Sequence, residues 1–224
     1  MPVALAMTQK RLCRDEFKIF IMVTFIFSIL ILIFSVIVHE VSHGYAAYFQ
    51  GDNTAKYAGR LTLNPLKHLE WFGSFILPVI SYFLGGFIVG WAKPVPFNPY
   101  NLRNQKWGEA IVAIAGPVAN ICLALFFGLL LRFGFLASLG DGFVYIAGTI
   151  VFINLILATF NLVPIPPLDG SKILFSILPS RWQNFRPFLE RYGFFILIFF
   201  IFFLWQYMLP VVSREFTWIT GLSI

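Results

Sequence analysis

"VIVHEVSHGYAAYF", Val36 to Phe49, closes an apolar run that carries no charge from Ile19 to Val38. An ionisable side chain inside a membrane span costs about 2.5–3.5 kcal/mol on insertion scales, unless it is paired, hydrated or bound to a metal. Two histidines and a glutamate within five residues therefore need a common partner. His39 and His43 are four residues apart, so on a helix both imidazoles lie on one face and can bind one tetrahedral ion. Glu40 points roughly 100° further round the helix, beside such an ion, where a general base acts on metal-activated water. Taken alone, the motif also fits a polar helix end with hydrated histidines.

Composition fixes the class of chain around this motif. Of the 224 residues 59% are hydrophobic and only 12% charged, and phenylalanine occurs 28 times. An ordinary soluble domain is about 25% charged. The reading is an integral membrane protein with no room for a sizeable soluble domain. The net charge of +6 is scattered through short loops, which sets membrane orientation and excludes a nucleic-acid partner. Cys13 and Cys122 have no CxxC spacing, so neither a disulfide framework nor a thiolate zinc site is indicated.

Five apolar stretches are long enough to cross a ~30 Å hydrocarbon layer: residues 19–49, 71–91, 110–136, 143–163 and 194–212. The second is interrupted by Pro78 and by Gly85–Gly86. The alternation of "GRLTLN" (Gly59–Asn64) predicts a short strand, and "AKPVPFNPYNLRNQKWG" (Ala92–Gly108) an extended interfacial loop. Residues 1–18 form a polar N-terminal segment, 19–212 one intramembrane domain and 213–224 a C-terminal tail. His68 is expected to be solvated or capping rather than a ligand.

A second motif, "FNLVPIPPLDGSKIL" (Phe160–Leu174), follows the fourth stretch. Pro164, Pro166 and Pro167 forbid a continuous helix, and unwound backbone at membrane depth must be buried in protein or line a wet cavity. Asp169, next to Gly170, is the one carboxylate there and suits the third ligand that a two-histidine zinc site requires. The alternative is an ordinary turn with Asp169 as a helix cap.

"HEVSH" together with "NLVPIPPLDG" resembles the site-2 protease family of intramembrane zinc metalloproteases, in particular its small prokaryotic members without PDZ or CBS domains. "GRLTLNPLKH", "WAKPVP" and "AGPVAN" match the same subgroup, so the resemblance covers residues 36–178. It implies one Zn2+ per chain held by His39, His43 and Asp169, with Glu40 as catalytic acid/base. It also implies substrate contacts by Asn161 and, in the active-site wall, Asn120. The chain lacks the separate span that precedes the HExxH helix in some members.

His39 ends the first span and Asp169 follows the fourth stretch, so the ligands share a membrane face only if those two run in parallel. That requires Trp71–Trp91 to dip in and return. The expected fold is all-α and polytopic, with four full spans, a re-entrant hairpin and a short strand near the active site. This topology places ten of the sixteen Lys and Arg residues on the active-site face and six opposite, favouring an active site towards the cytoplasm of a prokaryotic cell membrane. The all-spanning alternative divides them eleven to five. Substrates would be transmembrane proteins, unwound locally and held along a strand edge, either "GRLTLN" or the hairpin at Gly85–Gly86. Asn120, Asn154 and Asn161 could line a water path, with interhelical hydrogen bonding the alternative for Asn154. The rival function is a zinc-binding membrane scaffold or a zinc transporter without protease activity.

Overall fold

The computed structural model describes residues 2–68, 70, 76, 80, 93–179 and 185–223, with the side chains of the first helix described from Met22 onward. Helix α1 (Pro2–Phe49) carries the HExxH motif near its C-terminal end. A single helical turn, α2 (Thr54–Tyr57), follows. Helices α3 (Gly108–Arg132) and α4 (Asp141–Asn161) form a hairpin, and the short α5 (Asp169–Ile177) comes after the proline segment. Helix α6 (Arg186–Phe199), a π-helical turn over Phe200–Leu204 and α7 (Trp205–Thr220) make one long element.

Among the described residues, four helices are long and apolar enough to cross a membrane: Met22–Phe49, Gly108–Arg132, Asp141–Asn161 and Arg186–Thr220. Phe126, Phe195 and Phe202 are each at least 60% exposed, an arrangement that water would penalise and lipid would not. The re-entrant hairpin expected over Trp71–Trp91 lies outside the described residues.

Among the described residues a cluster of Ala47, Leu102 and Val112 joins α1 to α3, and two others hold the rest of the bundle. Ala124 and Leu131 of α3, Ala147, Val151 and Leu155 of α4, and Val212, Phe216 and Ile219 of α7 form the larger. The smaller packs Val163 and Leu168 of the proline segment on Leu197 and Phe200. Small residues at the α3–α4 contact let the backbones approach closely, the main source of helix association where there is no water to expel.

The expected strand over Gly59–Asn64 is not formed, and no strand occurs among the described residues. Its polar groups are satisfied locally instead. Gly59 N–H donates to Lys56 O, Arg60 N–H to Ala55 O and Asn64 N–H to Thr62 Oγ1. Thr62 O accepts from His68 Nε2 at 2.8 Å, so His68 is buried at 1% exposure and not solvated as expected. Alternation in a short run cannot by itself supply a partner strand.

Beyond α1 the chain turns at Asp52, which is fully buried. Its Oδ1 accepts from Thr54 N, Thr54 Oγ1 and Asn101 Nδ2, and its Oδ2 from Asn98 N at 2.7 Å. Burial alone would raise this carboxyl, but the donors from Thr54, Asn101 and Asn98 outweigh it and hold it below the ordinary carboxylate range. A group whose folded pKa is depressed stabilises fully above its unfolded value, about 3.9 for Asp, and loses that stabilisation as pH falls through the folded value. The thermal-midpoint gap between wild type and Asp52→Asn is therefore expected to be widest near neutrality and to shrink in acid. A gap independent of pH would show that the charge contributes nothing.

Candidate metal centre

The HExxH turn of α1 and the first half of α3 face each other along matched four-residue steps. Ser35, His39 and His43 form one stripe; Val112, Gly116 and Asn120 form the other, running in the opposite direction. Residues at this spacing line one face of a helix. His39 Nδ1 lies 2.6 Å from Asn120 Oδ1, and His43 Nδ1 lies 2.7 Å from Val112 O. Both partners are oxygens that can only accept, so each Nδ1 carries a proton, and in the neutral imidazole each Nε2 presents a lone pair. The orientation of Asn120 is fixed in turn, because its Nδ2 donates to Ser35 O and to Asn154 Oδ1. Asn154 Nδ2 closes the network on Ser35 Oγ and Ile150 O. Asn120 and Asn154 are fully buried, and together they tie α1, α3 and α4.

Asp169 arrives from the other side. The chain leaves α4 at Asn161 and turns through Pro164, Pro166 and Pro167 before α5 begins at Asp169 itself. Gly170 sits directly on the turn: a Cβ there would stand 2.2 Å from Leu162 O and 2.5 Å from Val163 O. Close approach, not a special backbone angle, is why glycine follows the aspartate. Asp169 Oδ2 is thereby placed 3.1 Å from His39 Nε2 and 3.1 Å from His43 Nε2, while Oδ1 faces Lys172 Nζ at 3.5 Å.

The two Nε2 atoms are 3.0 Å apart. Three potential ligand atoms thus converge, all from buried residues, and with both imidazoles neutral neither Nε2 has a proton to share. Such a set is stable around a cation. A tetrahedral zinc with bonds of about 2.0–2.1 Å holds its donors about 3.3 Å apart, close to these spacings. Gly116 leaves room on the remaining side. A Cβ there would stand 2.5 Å from His43 Nε2 and 2.6 Å from His39 Nε2. The donor set and this cradle fit zinc; among the described residues His39, His43 and Asp169 form the His/Asp group able to hold a metal. His68 is not part of it.

Glu40 is half-buried on the same turn, and its Oε2 accepts from Val95 N at 2.9 Å. Of the extended loop expected over residues 92–108, residues 93–98 are without helix and supply this donor, whereas Pro99–Asn101 forms a 3-10 turn and Gly108 opens α3. Asn161 lies at the last turn of α4, half-buried, with Nδ2 donating to Leu157 O at 2.9 Å. It is not joined to the cluster. Ser35, Val112 and Gly116 were not singled out from sequence, although the two four-residue stripes were present to be read.

Two helical histidines and a distant aspartate meet at one buried point of a multi-pass helical membrane protein, which defines a membrane protein with a candidate metal centre. The chain matches the family described as peptidase family M50 over residues 27–150 and 136–204. It is 38% identical to YwhC of Bacillus subtilis over 176 residues, 76% of this chain and 77% of that one. It is 33% identical to MJ0611 of Methanocaldococcus jannaschii over 170 residues, 71% of this chain and 75% of that one. Rip2 of Mycolicibacterium smegmatis is 32% identical over 167 residues, 73% of this chain and 62% of that one. All three are provisionally named zinc metalloproteases. No solved structure matches the chain. This chain belongs to peptidase family M50, the site-2 protease family.

Proposed function

We propose that this chain is an intramembrane zinc metalloprotease that hydrolyses peptide bonds within or near the transmembrane helices of membrane proteins. The observation that carries the reading is the meeting of His39, His43 and Asp169 in a buried cluster on membrane-spanning and membrane-adjacent segments.

His39, His43 and Asp169 would hold the zinc. Bound there, zinc supplies a Lewis acid that polarises a carbonyl and makes water acidic near neutral pH. Asn120 Oδ1 and Val112 O keep both imidazoles in the ligating tautomer. Val95 N–H holds Glu40 Oε2, which leaves Oε1 to take a proton from the attacking water and return it to the departing amine nitrogen. Asn120, fully buried with Oδ1 2.6 Å from His39 Nδ1, supports a role in orienting His39 from the active-site wall. Asn161, at the mouth of the proline turn, is the candidate contact for the substrate backbone. A substrate helix must unwind before cleavage, since its own hydrogen bonds shield the peptide groups. Thr62 O is already committed to His68, so "GRLTLN" offers a poor edge for holding it. The ten-to-six division of basic residues supports a cytoplasmic-side active site.

The test is cleavage of a single-span membrane protein by the purified chain in vesicles, before and after zinc removal by a chelator. Activity lost on removal and restored by zinc supports the reading; a zinc-loaded protein that cleaves no membrane helix in any preparation leaves the scaffold alternative standing. Asp169→Ala is expected to lower zinc content at least about tenfold, read by metal analysis, because two imidazoles alone make an incomplete shell. Unchanged stoichiometry would remove Asp169 from the ligand set.

A further inference from the structure

Glu40 is steered by a backbone N–H on a loop, and a loop donor is only as well placed as the loop. The segment Lys93–Asn101 reads "KPVPFNPYN", with prolines at 94, 96 and 99. Each proline fixes its own φ near −65°, and each restricts the residue before it to extended conformations. The segment is therefore a stiff strap with few internal degrees of freedom. Lys93 N–H donates to His68 O at 2.9 Å, Val95 N–H to Glu40 Oε2 at 2.9 Å and Asn98 N–H to Asp52 Oδ2 at 2.7 Å. Two of these three anchors are carboxylates that belong to α1 or its immediate extension, since Asp52 N–H still bonds Ala47 O at 3.0 Å. Asp52 is fully buried and takes no part in the metal cluster. A buried carboxylate with four donors is costly to build and rigid once built.

We propose that Asp52 is a positioning residue for Glu40, holding through Asn98 the strap whose Val95 N–H orients the Glu40 carboxylate. The effect on turnover rests on the proteolytic role given to Glu40 above; the effect on the strap does not. The two oxygens of Asp52 have separate duties, which makes the proposal divisible. Thr54 N, Thr54 Oγ1 and Asn101 Nδ2 all converge on Oδ1, whereas Oδ2 alone reaches the strap backbone. In Asp52→Asn the three donors keep the amide oxygen on their side, and the new NH2 confronts Asn98 N–H, donor against donor. Thr54→Ala removes the hydroxyl donor from Oδ1, keeps the backbone N–H of residue 54 and leaves the Oδ2 link intact.

Both variants are compared with wild type by backbone hydrogen exchange and by steady-state cleavage, with zinc content measured throughout. Asp52→Asn is expected to speed exchange of the Asn98 and Val95 amides about tenfold and to lower kcat about tenfold, with KM and zinc within about twofold. Thr54→Ala is expected to lower the thermal midpoint but to leave those amides and kcat within about twofold. Unchanged Val95 exchange in Asp52→Asn, or equal acceleration in Thr54→Ala, overturns the proposal. Should Asp52→Asn not fold, the wild type still decides. The Val95 and Asn98 amides are expected to exchange through one shared opening, and clearly unequal protection refutes the coupling. A wild type that cleaves nothing defeats the proteolytic reading alone, because the exchange results still test the strap.

Discussion

Glu40→Gln is expected to lower cleavage of a membrane-helix substrate by about 10²–10⁴-fold, the usual worth of a positioned proton carrier, with zinc content unchanged. Glutamine has the shape of glutamate, and its amide oxygen can accept from Val95 N–H as Oε2 does at 2.9 Å. The strap contact therefore survives the substitution. What is lost is the ability to take a proton and give it back. Glu40 is not a member of the ligand cluster, so the metal has no reason to leave. The measurement is single-turnover cleavage alongside metal analysis of the same preparation. A variant that retains more than a tenth of the wild-type rate would show that another group carries the proton. A variant that loses its zinc would make Glu40 part of the shell.

Gly116→Ala is expected to deplete zinc by more than about tenfold and to abolish cleavage while the helices remain folded. Alanine is a better helix former than glycine by about 1 kcal/mol, so α3 itself has no objection to the change. The objection comes from α1. The added methyl would stand 2.5 Å from His43 Nε2, 2.6 Å from His39 Nε2 and 2.6 Å from His39 Cε1. Both imidazoles are tethered behind by Asn120 Oδ1 and Val112 O, so neither can retreat without giving up a buried hydrogen bond. The methyl therefore takes the room the ion needs, or the rings break their tethers; either way the three donors no longer converge. Circular dichroism and zinc content measured together check this. Full zinc in a folded Gly116→Ala protein would mean that the histidines are less confined than the distances state.

Much of the candidate metal centre was legible in the sequence, for physical reasons. Ionisable groups at the end of a charge-free run are expensive enough that His39, Glu40 and His43 demand a joint explanation. Three prolines before Asp169 break a helix wherever they occur, and the observed turn between α4 and α5 follows from that alone. The support of the site was harder to read. The resemblance placed Asn120 in the active-site wall, but a lone polar group in an apolar stretch does not announce its partner, here His39. Gly116 was one of 17 glycines, with nothing local to mark it as the cradle. The strand over Gly59–Asn64 failed because its hydrogen bonds closed within the loop, through Ala55, Lys56 and His68, where no periodicity argument reaches. His68 went inside with them.

The sequence by itself determined that this is a helical membrane protein, that two histidines share a helix face, and that an aspartate follows a broken segment. Those are consequences of local chemistry: solvation cost, helical spacing and the fixed φ of proline. Only the tertiary structure decided that Ser35–His39–His43 meets Val112–Gly116–Asn120 in opposite directions, and that Asp52 and Glu40 grip the same strap. Such contacts join residues tens of positions apart, and which ones meet depends on how whole helices pack, a quantity no single stretch of chain contains.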